Sequence, residues 1–197
     1  WLRETAGTNG GLPALRHRYL VNSKRQDRGI DAHNTWNIAA HNVTAGIGYA
    51  VASVKAADDY DYRNYAPSTL SVNNKGDMKT AALYARDTVA LSEKTDLNFG
   101  LRFDSAKVTG VEYEDQTGAM GTASPDDKSW NHVSPSVGVV HFTSEKTKLR
   151  VSYGNAFHAP ILDSLTRRGI FRGRIYELNP ELEPEEIHSF EVGIDHY

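Results

Sequence analysis

Cysteine is missing from all 197 residues, which excludes disulfide frameworks and thiolate metal sites. No segment approaches the ~20 consecutive apolar residues of a membrane helix; hydrophobic residues make up 39% and mean hydropathy is -0.54. That absence rules out helical spans but not a membrane barrel, whose strands turn only alternate residues toward lipid. An excess of positive charge is absent too. The net charge is -3 with His neutral, so there is no broadly basic composition for a nucleic-acid partner. No Gly-x-Ser-x-Gly, His-Glu-x-x-His or phosphate-loop signature occurs, and no enzymatic activity is expected. Internal repeats, helix heptads and low-complexity tracts are also missing. The chain opens at Trp1 with neither a Met nor a leader-like apolar segment, as expected of an internal piece of a longer protein.

What is present is alternation. Leu97, Phe99, Leu101 and Phe103 alternate with Asn98, Gly100, Arg102 and Asp104. Leu149, Val151, Tyr153, Asn155 and Phe157 do the same, as do Phe190, Val192 and Ile194. Val43 to Val51 and Val133 to Val139 repeat the pattern. Successive side chains of a strand point to opposite faces, so each segment predicts a strand with one apolar and one polar or small face. The segment Leu83 to Leu91 fits less well because Asp87 interrupts its apolar side. Ile30 to Ala40 is expected to pair with Val43 to Val54, and Arg16 to Arg28 to rise as a strand above a membrane. Thr8 to Pro13 reads as a Gly-rich loop.

The connections sort by length. His41-Asn42, Ser92 to Lys94 and Ser144 to Lys146 read as short turns. Asp58 to Asp77, Val108 to Lys128 and Ala159 to Glu186 read as long inserts. Short turns on one rim and long loops on the other are the layout of an outer-membrane barrel. Inside lipid every backbone N–H and C=O must pair within the protein, which strands achieve only by closing on themselves. The expected fold is all-β: an antiparallel transmembrane β-barrel fragment of about seven or eight strands, an open sheet cut from a larger wall, with long external loops.

Two short boxes flank the last insert. Phe157-His158-Ala159-Pro160 resembles the Phe-Arg-Ala-Pro box of TonB-dependent outer-membrane receptors, and Asn179-Pro180-Glu181-Leu182 resembles their Asn-Pro-Asp-Leu box, continued by Glu183-Pro184-Glu185-Glu186. Upstream, Ala85-Arg86-Asp87 and Gly100-Leu101-Arg102-Phe103-Asp104 are similar to a strand pair of the same family, as is Ser134-Pro135-Ser136-Val137-Gly138. The likeness runs from about Ile30 to Tyr197 and makes residues 1–197 a partial receptor barrel. It implies a barrel of 22 strands filled by an N-terminal plug, taking up ferric siderophores, haem, cobalamin or sugars. It also implies the outer membrane of a Gram-negative bacterium, with lipid and lipopolysaccharide around the wall. TonB would be contacted only through an N-terminal region, and neither that region nor the plug is read in these residues. The cargo expected first is a ferric siderophore.

Candidate contacts follow from chemistry. Arg167, Arg168, Arg172 and Arg174 crowd one loop beside Tyr176. Their guanidinium forks suit the carboxylates and catecholates of an anionic ferric chelate; the alternative is a solvated loop or one holding lipopolysaccharide phosphates. Tyr60 and Tyr62, with Tyr65, lie among Asp58, Asp59 and Asp61. They could line a flat chelate or form an aromatic belt, and the acids lack the spacing of a Ca²⁺ loop. His158 stands where the family box has Arg. It could face the ligand or a haem, but residues 161–178 contain no further His, which counts against haem. The remaining His residues lack metal-ligand spacing, and neither metal nor cofactor is expected. Pro160, Pro180 and Pro184 fix φ and keep the chain extended as it re-enters the wall. A rival reading is a structural or adhesive β-protein, either a passive barrel or a soluble sandwich.

Overall fold

The structure, a computed structural model, describes residues 2–5, 17–62, 69–118, 121–166, 169–171, 174–176, 179 and 181–197, with backbone alone for 2–5, 17–19, 61–62, 69–70, 169–171 and 174–176. The Thr8 to Pro13 loop and Tyr65 lie outside the described residues. The strands are β1 (Leu2–Thr5), β2 (His17–Ile38), β3 (His41–Tyr62), β4 (Thr69–Ser92), β5 (Thr95–Asp115), β6 (Thr122–Ala123), β7 (Lys128–Ser144) and β8 (Thr147–His158). A short helix α1 (Leu162–Thr166), the strands β9 (Gly169–Phe171) and β10 (Arg174–Tyr176), and a final strand β11 (Glu185–His196) complete the chain.

One antiparallel sheet holds the strands in the order β1-β2-β3-β4-β5-β7-β8-β11, with β6 added beside β5. The sheet does not close: β1 and β11 are its edges. β9 and β10 form a separate hairpin. The expected open wall of about seven or eight strands forms, with eight along its path and β6 beside it.

Register turns the alternating segments into continuous rows. Trp36, Val43, Asp87, Phe99, Val137, Tyr153 and Phe190 are successive cross-strand partners. The next row runs Ile38, His41, Val89, Leu97, Val139, Val151 and Val192. Leu101, Val151, Phe190, Val192 and Ile194 are exposed, Phe190 by 71%. Among the described residues no second layer covers these rows, as a sandwich would require. A contiguous apolar face of this extent is rare on a soluble monomer and marks a surface that meets a partner or a membrane. Asp87 does sit within it, and His41 Nδ1 answers at 2.7 Å from its Oδ2.

Three expectations need correction. The first turn is at Ala39-Ala40, and His41-Asn42 opens β3. Ala39 takes the left-handed conformation at φ 52, an uncommon choice for a residue with a Cβ. Asn looked better suited to that turn, but Asn42 instead lies opposite Asn37 and hydrogen-bonds its side chain. Second, the inserts Asp58 to Asp77 and Val108 to Lys128 are largely strand: β3 runs to Tyr62, β4 starts at Thr69 and β5 continues to Asp115. Spanning lipid takes only about 9–11 residues of a tilted strand, so strands of 22 and 24 residues rise well beyond it. Third, α1 interrupts the last insert.

One bulge shapes the upper wall. Register between β4 and β5 shifts between Lys75 and Asp77, leaving one extra residue on β5. Gly110 sits there at φ +61, a conformation that costs glycine little. Above it the parity of β5 inverts, and Val111, Tyr113 and Asp115 become buried on the side of Ala106 and Val108.

Candidate functional site

Opposite the apolar face lies a polar one. Its rows include Asp31, Gly48, Ala82, Asp104 and His132, then His33, Gly46, Tyr84, Arg102 and Ser134. A network crosses three strands. The Tyr84 hydroxyl donates to Asp31 Oδ1 at 3.0 Å. The Arg102 guanidinium lies 5.6 Å from the Tyr84 ring centroid and donates to both Asp104 oxygens, its Nε 2.8 Å from Oδ2. Gly46 makes this possible: a Cβ there would stand 2.5 Å from the Tyr84 ring and 2.8 Å from the His33 Cβ. The residues are scattered in sequence, so only the period-2 glycines Gly46 and Gly48 hinted at a crossing.

The segment after β8 folds back over the upper part of this face. Leu162 and Leu165 of α1 are buried with Val54, Val108 and Val111. Arg25 Nη1 on β2 reaches Asp163 Oδ2 at 3.7 Å. Below α1 a cavity of about 720 Å³ is lined by Arg25, Asp31, Arg102, Asp104, His158 and Pro160, among others. It offers two guanidinium groups and two carboxylates beside an apolar lid, a setting suited to a polar organic ligand carrying charge. No cluster of His, Asp or Glu fit for a metal occurs among the described residues.

The two boxes tie that cover to the wall. Phe157 stacks on His132. His132 Nε2 lies 2.8 Å from Asn155 Oδ1 and its Nδ1 3.3 Å from Glu186 Oε1. Asn179 Oδ1 accepts from the Glu181 N–H at 3.1 Å, closing a turn. Leu182 packs against the Leu162 cluster, and Lys128 Nζ pairs with Glu181 Oε2 at 3.2 Å. Pro184 stands just before β11, whose first residue Glu185 pairs with His158. Ala159 and Pro160 line the cavity.

The sequence candidates distribute unevenly. Arg167, Arg168, Arg172 and Pro180 lie outside the described residues. Arg174 and Tyr176 are described as backbone in β10, opposite Phe171 and Gly169. Tyr60 is buried, with its hydroxyl 3.4 Å from Asp58 Oδ2; Tyr62 is described as backbone at the end of β3. His158 is exposed and borders the cavity. Sequence reasoning missed Arg25, Asp31, Tyr84, Arg102 and Asp104, each one polar residue within an alternating strand.

The model of the TonB dependent receptor-like β-barrel family matches residues 3–197. No curated protein sequence matches the chain. Among solved structures, the ferric yersiniabactin uptake receptor FyuA of Yersinia pestis is similar at TM-score 0.65 and 12% identity, over 98% of this chain and 29% of that one. The copper transporter OprC is similar at TM-score 0.64 and 17% identity, over 93% of this chain and 29% of that one. The ferric-catecholate import receptor Fiu of E. coli K12 gives TM-score 0.57 and 15% identity, over 92% and 29%. At such identities the likeness concerns the fold, and the chain spans less than a third of each of these proteins. Receptors of the matched family are transporters of the Gram-negative outer membrane rather than enzymes. On the family match over nearly its whole length, the chain belongs to the TonB-dependent receptor β-barrel family.

Proposed function

We propose that this chain is a section of the wall of an outer-membrane receptor for TonB-dependent uptake of a ferric siderophore. The observation that carries the reading is the two-faced single sheet, with apolar rows bare on one side and a covered, charged cavity on the other. The cargo assignment draws support from similar structures that are receptors for ferric yersiniabactin and ferric catecholate. External loops capture the anionic chelate, and the family's plug, pulled through TonB, releases it inward. Arg167, Arg168, Arg172 and Arg174 supply cationic contacts, with Tyr176, Tyr60, Tyr62 and His158 as further candidates. The wall meets outer-membrane lipid and lipopolysaccharide, and the chain carries no enzymatic step.

Fluorescence quenching of the full-length receptor by ferric siderophores tests this. Changing Arg168, Arg172 and Arg174 to Ala together is expected to weaken binding by about tenfold or more, since charge-assisted bonds contribute about 1.5–3 kcal/mol each. Unchanged affinity removes these residues from the site. Failure of every ferric chelate to quench the parent receptor removes the cargo assignment.

A further inference from the structure

The floor of the cavity under α1 is built from two adjacent rows of the polar face. Gly29, Ala50, Thr80 and Ala106 are cross-strand partners in one row, and Asp31, Gly48, Ala82 and Asp104 in the other. Neighbouring strands lie about 4.8 Å apart, so Asp31 and Asp104, three strands from each other, are separated by about 14 Å. Only Gly48 and Ala82 lie between them. Phe157, Ala159 and Pro160 border the same space of about 720 Å³, a size that suits a small organic ligand.

Both arginines of the cavity are turned onto their own strands. Arg25 Nε donates to both oxygens of Asp27, at 3.1 and 2.9 Å, and its Nη1 reaches Asp163 Oδ2 at 3.7 Å. Arg102 Nε donates to both oxygens of Asp104, and its Nη2 lies 2.8 Å from Oδ1. Each guanidinium is thus neutralised by the aspartate two residues further along. An anionic ligand has to compete with these forked, charge-assisted pairs.

Asp31 has no guanidinium or ammonium of its own. Its Oδ1 accepts from the Tyr84 hydroxyl at 3.0 Å and lies 3.5 Å from His33 Nδ1. Among the described residues no other hydrogen bond or ion pair reaches this carboxylate, and Oδ2 is left free. Oδ2 lies over Gly48, where an added Cβ would be 3.2 Å from it. The glycine therefore keeps this oxygen open to the cavity floor. Among the described groups on the cavity or paired with its charges, Asp27, Asp31, Asp104 and Asp163 face Arg25 and Arg102. That is an excess of two negative charges with His33 and His158 neutral.

We propose that this cavity takes a cationic amine carried by the cargo, held by Asp31 Oδ2 above Gly48. The ligand class is a ferric chelate with a pendant primary ammonium, whose anionic part is left to the arginine loop. The proposal rests on the uptake reading given above and deepens it, adding a preference for positive charge that the loop arginines alone would reverse.

Fluorescence quenching of the full-length receptor tests it. Two ferric chelates bearing a primary amine, one a tris-catecholate and one a tris-hydroxamate, are compared with their N-acetylated forms, which lack that positive charge. For whichever chelate binds, the amine form is expected to bind about tenfold or more tightly. Asp31→Asn keeps an acceptor for Tyr84 and is expected to abolish the difference. Equal binding of the amine and acetylated forms by the parent receptor overturns the amine site, whatever the variant does. A difference that persists in a folded Asp31→Asn receptor overturns Asp31 as the holder. Where Asp31→Asn does not fold, Gly48→Ala probes the same oxygen: its methyl crowds Oδ2 and is expected to weaken the amine form alone. Weakening of both forms alike, or of neither, overturns Asp31. If neither pair quenches while another ferric chelate does, the amine site fails and the uptake reading survives; if no ferric chelate quenches, both fall.

Discussion

The His132 ring lies flat against Phe157, with centroids 5.1 Å apart and planes 9° from parallel. The pair joins β7 to the end of β8 above the point where their ladder stops, at Ser136 and Gly154. Pro135 follows immediately and has no N–H to continue the ladder. Ring stacking and the His132 contacts to Asn155 and Glu186 take over where backbone bonding ends. The Phe-His-Ala-Pro box thereby acts as a clasp for the segment that covers the polar face.

Removing the clasp should loosen that cover without unfolding the wall. Phe157→Ala and His132→Ala are expected to couple by about 0.5–1.5 kcal/mol in a double-mutant cycle. Hydrogen exchange over residues 179–187 should accelerate in either variant, while β3 and β4 stay protected. Exchange unchanged in both would mean that the stack contributes nothing.

The glycine at 46 is a matter of space. Gly46→Val would drive a branched side chain into the Tyr84 ring and the His33 Cβ, with an expected loss of about 1–3 kcal/mol. Unfolding of the full receptor in denaturant measures it. Adding Tyr84→Ala should recover part of the loss, because the ring then no longer occupies the site. Equal stability of Gly46→Val and the parent would show that the wall gives way freely here.

Leu162, 1% exposed, is the main anchor of α1. Leu162→Ala is expected to cost about 2–5 kcal/mol of local docking energy. The readout is faster proteolysis within residues 159–184 of the folded receptor. A cleavage rate equal to the parent's would mean that the Arg25–Asp163 contact and Leu182 hold the segment without it.

Hairpins were legible in the sequence wherever one face was apolar. Leu97 to Phe103, Leu149 to Tyr153 and Phe190 to Ile194 fell into register as their alternation implied. The upper part of β2 was expected as a strand, but the upper parts of β3 to β5 were not legible, because both faces there carry polar residues: in β3, Lys55, Ala57 and Asp59 on one side, Asp58 with Tyr60 on the other. A five-residue helix such as α1 gives no periodicity to read and depends on tertiary contacts. The Asp31–Tyr84–Arg102 network is invisible before register is known, since its members sit on different strands and Asp31 and Tyr84 lie 53 residues apart. The boxes at 157–160 and 179–186 were found by likeness; their work as fasteners emerged only from the contacts of His132, Leu182 and Lys128.

Nitroxide labels placed one at a time from 97 to 104 along β5, in the full-length receptor in bilayers, test the central claim most directly. Oxygen accessibility is expected at positions 97, 99, 101 and 103, and at 98, 100, 102 and 104 none of the lipid signature. Accessibility to oxygen that fails to alternate, or that favours the even positions, would contradict it.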